Sequence, residues 1–187
     1  MDFLKYIVSR EWYHGDTSRR TSFRDQHMDR DSTLQDSNAF GPGLYLTSNF
    51  QEALGYASGG FVYTVEVRPH GKILTETIRS NKHHVKRLIG LCPDGRREIG
   101  LSNWDENPVT AMSKAVSEYS KFRLLDASLT IYHDFYGSFH ANDWSTAMVA
   151  LGYDGLIHPA NNSIYHLAIY NLKTILILDE HKHEDIE

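Results

Sequence analysis

Cysteine is all but missing from this chain. A single thiol, Cys92, in 187 residues excludes an internal disulfide and fits a reducing compartment. Its expected state is a small buried hydrophobe rather than a reactive nucleophile. No uninterrupted apolar run approaches the roughly 18 residues of a membrane-spanning helix, so no membrane association is expected. The opening segment Met1 to Arg10 is too short and too mixed for a secretory leader, its apolar spacing suits a short packed segment, and a cytoplasmic location is expected. Repeats, low-complexity blocks and linkers are lacking, which points to one domain over residues 1–187. Metal-ligand spacing is lacking too. His83-His84 and His181-Lys182-His183 have no cysteine or paired carboxylate to complete a ligand set, so no metal is expected. Nor is there a surplus of positive charge: a net charge of −5 argues against a general nucleic-acid binder. Locally the balance differs. Arg79, Lys82, Lys86, Arg87, Arg96 and Arg97 form one basic stretch, and Arg19, Arg20, Arg24 and Arg30 crowd the segment after His14.

What is present is most informative between Gly41 and Ala57. Gly41-Pro42-Gly43 is a turn, with glycine where a positive φ or a close backbone approach is wanted. Leu44-Tyr45-Leu46-Thr47 reads as a short strand. Ser48 or Asn49 can cap a following helix, with Gln51 or Glu52 in capping-box position. That helix carries Ala53, Leu54, Tyr56 and Ala57 before Ser58-Gly59-Gly60 stops it. Tyr45 and Tyr56 are then two aromatic rings at opposite edges of one turn, able to clamp a flat ring between them.

This segment is preceded by Trp12-Tyr13-His14-Gly15 and followed by the strand Phe61 to Val67. Together they resemble the ADP-ribosyltransferase fold, in its diphtheria-toxin and poly-ADP-ribose-polymerase branch with a His-Tyr-Glu signature. The resemblance covers about the first 68 residues and returns near Gly152-Tyr153-Asp154-Gly155-Leu156-Ile157. It implies NAD+ as substrate, bound in a cleft between two small sheets. It also implies that His14 bonds the adenosine-side ribose, that the Gly15 backbone holds the nicotinamide carboxamide, and that Tyr45 and Tyr56 stack on nicotinamide. One or more of Arg19, Arg20 and Arg24 would meet the pyrophosphate. The resemblance breaks at Ile164-Tyr165-His166-Leu167-Ala168-Ile169-Tyr170-Asn171, where His166 stands in place of the glutamate that bonds the nicotinamide ribose. An imidazole offers no negative charge opposite a developing ribosyl cation, and loss of one such group costs roughly 2.7–4 kcal/mol. Three outcomes stay open: His166 takes a variant role, another acid such as Asp154 substitutes, or transferase activity is weak or lost.

The remaining segments complete an α+β pattern with a helical insertion at about 78–150, and the resemblance implies that its core is an ADP-ribosyltransferase-like split β-sheet. Residues 16–40 read as a long loop, and Lys72 to Thr77 as a short strand. Asn81 to Ile89 is spaced as a helix, Cys92-Pro93-Asp94-Gly95 is a turn, and Asn107-Pro108 opens a helix to about Phe122. Ala127 to Tyr136 is ambiguous between helix and strand. Asn142 to Ala150 is a helix, and Gly155–His158, Tyr165–Tyr170 and Thr174–Leu178 are strands. The resemblance therefore implies a mono-ADP-ribosyltransferase whose target is a macromolecule, protein or nucleic acid. A toxin or phage-conflict component with an antitoxin or inhibitor partner would suit it. An NAD glycohydrolase and a degenerate NAD- or ADP-ribose-binding module are the alternatives.

Overall fold

The computed structural model describes residues 3–19, 43–136, 141–160, 163–182 and 184. Arg20, Arg24 and Arg30, with most of the long loop expected at 16–40, lie outside the described residues. The fold is α+β. In chain order the elements are α1 (Phe3–Val8), β1 (Trp12–Asp16), β2 (Leu44–Thr47), α2 (Phe50–Ala57), β3 (Phe61–Val67) and β4 (Ile73–Leu74). Five helices follow: α3 (Lys82–Gly90), α4 (Asp94–Ser102), α5 (Pro108–Tyr119), α6 (Leu124–Ile131) and α7 (Ala141–Leu151). The chain closes with β5 (Gly155–Pro159), β6 (Tyr165–Ile169) and β7 (Ile175–Lys182).

The seven strands form one sheet in the order β4-β5-β6-β2-β1-β3-β7. All neighbours run antiparallel except the β4–β5 pair. This differs from two separate small sheets: the halves β4-β5-β6-β2 and β1-β3-β7 are continuous, but they join through the single pair Tyr13↔Thr47. Alternation along the strands sends their apolar residues to two cores. On one face Leu74, Leu156, Ala168 and Tyr170 pack with Val85, Leu88, Leu124, Phe135 and Trp144 of the helical segment. Trp144 is fully buried, with Tyr132 and Tyr136 ring centroids 5.3 and 5.2 Å away. On the other face Leu44, Leu46, Trp12, Val65, Ile157, Leu167 and Ile169 gather around Ile7 of α1. The Trp12 indole N–H donates to the Ile7 carbonyl at 3.0 Å, tying α1 to the sheet.

Local chemistry explains most element ends. Asn49 caps α2, accepting from the Glu52 N–H at 3.1 Å, and Asn81 caps α3 through the His84 N–H at 2.9 Å. Asn107 caps α5, with Pro108 at its first position. Three expectations change. Lys72 to Thr77 contributes only the two-residue strand Ile73–Leu74. Ala127 to Tyr136 is helical throughout, α6 passing into a π-helical turn at Tyr132–Tyr136. The turn at Cys92-Pro93-Asp94-Gly95 opens α4, whose Gly100 faces the Phe135 ring so closely that a Cβ would lie 2.4 Å from it.

Candidate functional site

The seam between β1 and β2 brings two of the predicted residues, His14 and Tyr45, into contact. Continuing the register beyond Tyr13↔Thr47 would place Gly15 opposite Tyr45, but the ladder stops at that one pair. The link is instead made by a side chain: His14 Nδ1 donates to the Tyr45 carbonyl at 2.8 Å. A carbonyl only accepts, so Nδ1 carries the proton and the ring is fixed in orientation. His14 is buried, lies across from Tyr63 with near-parallel rings 6.4 Å apart, and turns Nε2 toward Asp16 Oδ2 at 3.7 Å. Asp16 Oδ1 in turn accepts from the Ser18 backbone N–H and hydroxyl at 3.0 and 3.2 Å.

Gly15 pairs with Val62 of β3 on one side; toward β2 the ladder has already stopped at Tyr13↔Thr47. Helix α2 presses on it directly, since a Cβ at position 15 would lie 2.0 Å from the Ala53 carbonyl oxygen. Only glycine allows this approach. Tyr45 is half-buried and packs against the helical core, whereas Tyr56 is 63% exposed on α2. Arg19 Nε donates to Glu180 Oε1 on β7 at 2.8 Å, from an exposed side chain. Arg20 lies outside the described residues.

His166 is not isolated. Tyr13, Thr47, His166 and His158 form one row across β1, β2, β6 and β5, and paired residues on adjacent strands project from the same face. Helix α2 covers the β1 end of that row: Tyr13 packs with Ala53 and Ala57, its ring 5.3 Å from Phe50. From the first turn of α2, Glu52 reaches the row. His166 Nε2 donates to both carboxylate oxygens, at 3.0 and 3.1 Å, and the Thr47 hydroxyl donates to Oε2. His166 and Glu52 keep about a quarter of their side-chain surface open, 25% and 26%. Next along the row, burial above all and then the neighbouring His166 hold His158 below the usual histidine value.

Asp154 lies away from the His166–Glu52 pair and is engaged elsewhere. Its carboxylate accepts from the Lys72 backbone N–H at 2.9 Å and from Asn171 Nδ2 at 2.7 Å, clamping the opposite end of β5. Four residue steps along the strand take the chain from Asp154 to His158, about 13 Å at ~3.3 Å per step. Among the described residues no group of three or more His, Cys, Asp or Glu side chains is placed to hold a metal ion, and no helix is long and apolar enough to cross a membrane. Glu52 and Thr47 are the site residues that local sequence reasoning passes over. Glu52 reads as a capping residue, and its partner His166 is 114 positions away. No protein-family model matches the chain, and no match is found among curated proteins or among solved structures.

Proposed function

We propose that this protein is a mono-ADP-ribosyltransferase that uses NAD+ as substrate and modifies a macromolecule, protein or nucleic acid. The observation that carries the reading is the opened seam. The β1–β2 ladder stops after Tyr13↔Thr47, short of Gly15 and Tyr45, and the His14 ring locks the two strands together at 2.8 Å. A planar amide suits such a place: backbone N–H and C=O groups of a strand edge are donor and acceptor for a carboxamide, and a tyrosine ring offers a stacking face. In this reading nicotinamide lies in the seam, its carboxamide on Gly15 and its ring against Tyr45, with Tyr56 closing from α2. His14 meets the second ribose. Rate enhancement comes from orientation and from charge stabilisation of a ribosyl cation, without a covalent enzyme intermediate.

The test is incubation of the purified protein with NAD+ radiolabelled in the adenylate portion and a cell lysate, followed by separation of protein and nucleic-acid fractions. Label in one fraction supports the transferase and names its target class. Nicotinamide release without labelled macromolecule identifies a glycohydrolase. Bound but intact NAD+ identifies a binding module.

A further inference from the structure

We propose that Glu52 supplies the carboxylate of this site, delivered from α2 instead of from β6, and that His166 and Thr47 are the positioning residues that aim it. The inference rests on the transferase reading. It starts from an exchange of hydrogen-bond roles at the start of α2. A glutamate three residues after an Asn cap ordinarily reaches back to the cap's own backbone N–H. Here the Asn49 N–H is satisfied by the Thr47 hydroxyl oxygen at 3.1 Å. Glu52 is thereby released from capping duty, and its carboxylate is held by His166 Nε2 and the Thr47 hydroxyl. A carboxylate in the first turn of a helix is further favoured by the N-terminal end of the helix dipole. The result is a carboxylate fixed in place and partly open to solvent, beside His166 on β6.

The chemistry needs such an anion. The bond from C1′ of the ribose to the pyridinium nitrogen breaks with its electron pair going to the nitrogen, so nicotinamide leaves neutral and the ribosyl fragment becomes an oxocarbenium ion. A target group X–H attacks C1′, the C1′–X bond forms, and the X–H proton passes to solvent. Charge balances as NAD+ plus X–H giving ADP-ribosyl–X, nicotinamide and H+. A carboxylate close to the cation stabilises it more than it stabilises the substrate, as carboxylates do at other oxocarbenium-like transition states. His166 cannot supply that charge, but as a donor to both oxygens it sets where the charge sits.

The deciding experiment measures nicotinamide release and NAD+ binding for wild type, Glu52→Gln, His166→Gln, His166→Ala and the double variant Glu52→Gln/His166→Glu, each checked for wild-type thermal unfolding. Expected are a drop in kcat on the order of a hundredfold for Glu52→Gln with KM and NAD+ binding nearly unchanged, and partial recovery in the double variant, which returns a carboxylate to the same place from β6. His166→Gln, which keeps a donor at the ε position, should retain more activity than His166→Ala. A folded Glu52→Gln protein that releases nicotinamide at the wild-type rate overturns the assignment alone. A wild type that neither cleaves nor binds NAD+, or binds it without cleavage, refutes the transferase reading and this assignment with it.

Discussion

Replacing Gly15 by alanine tests the close approach of α2 to the sheet. The added Cβ would sit 2.0 Å from the Ala53 carbonyl oxygen and 2.8 Å from the Ala57 backbone nitrogen. Both are main-chain atoms of one helix, so no rotamer change relieves the overlap. Ordinary carbon–oxygen contacts run at about 3.3 Å or more, which requires α2 to retreat by more than about 1 Å. Overpacking of this kind costs about 1–3 kcal/mol, and a backbone clash belongs at the upper end. For a domain of this size 3 kcal/mol lowers Tm by about 6–12 °C. Glu52 precedes Ala53, so the same retreat stretches the 3.0 Å contact to His166. Gly15→Ala should therefore lose thermal stability and nicotinamide release together, measured by calorimetry and by product assay on the same sample. A Tm within about 2 °C of wild type would refute the reasoning, because it would mean that α2 does not bear on β1 in solution.

Three further outcomes follow from packing and ionisation. Trp144→Ala removes a fully buried side chain between two tyrosine rings and should cost about 3–5 kcal/mol in urea unfolding; a loss under about 1 kcal/mol would contradict the packing. Burial pushes the Cys92 thiol up to about 11, and its Sγ donates to the Phe135 carbonyl at 3.2 Å. Native protein should therefore resist iodoacetamide at pH 8 and react quickly once unfolded, and rapid native labelling would count against the burial. For His158 the folded value lies below the usual 6.5, so the folded state binds fewer protons than the unfolded state as the solution is acidified. Its contribution to stability is intact above about pH 6.5, declines below that, and is fully lost once pH has fallen past the folded value. Thermal unfolding from pH 7.5 to pH 5 should show Tm falling, and His158→Gln should flatten part of that fall; an unchanged slope would remove His158 as a cause.

Local signals in the sequence were strong where one residue type does one job. Asn49, Asn81 and Asn107 each cap a helix, and the alternation of Phe61 to Val67 gives β3. Helix α4 was hidden because Pro93, Asp94 and Gly95 are turn formers, while Gly100 weakens helical propensity. Packing of that helix on Phe135 overrides the propensity, and the Phe135 ring leaves no room for a side chain at position 100. The ambiguity of Ala127 to Tyr136 arises from an apolar run that suits either element; burial of Leu124, Leu125, Ala127 and Ile131 among other helices decides it. His14, Gly15 and Tyr45 stood out because they lie in short local motifs, and the structure joins His14 to Tyr45. His166 also stood out in the sequence, but its contact with Glu52 did not, since that contact depends on the register of β6 against β2, a pairing of distant segments with no trace in either segment alone.

That register has a consequence for the order of synthesis. Glu52 and His166 are 114 positions apart, and at ~5–20 residues per second the ribosome needs roughly 6–23 s to travel between them. During that interval β2 has no β6 to pair with, and the whole helical segment is made before its partner strand arrives. An unpaired strand edge is a template for wrong pairing, so the nascent chain passes through a vulnerable period that the finished sheet does not share. The carboxylate at position 52 likewise has no imidazole to aim it. Whatever chemistry the seam performs is thereby withheld from the growing chain until β6 slots between β5 and β2.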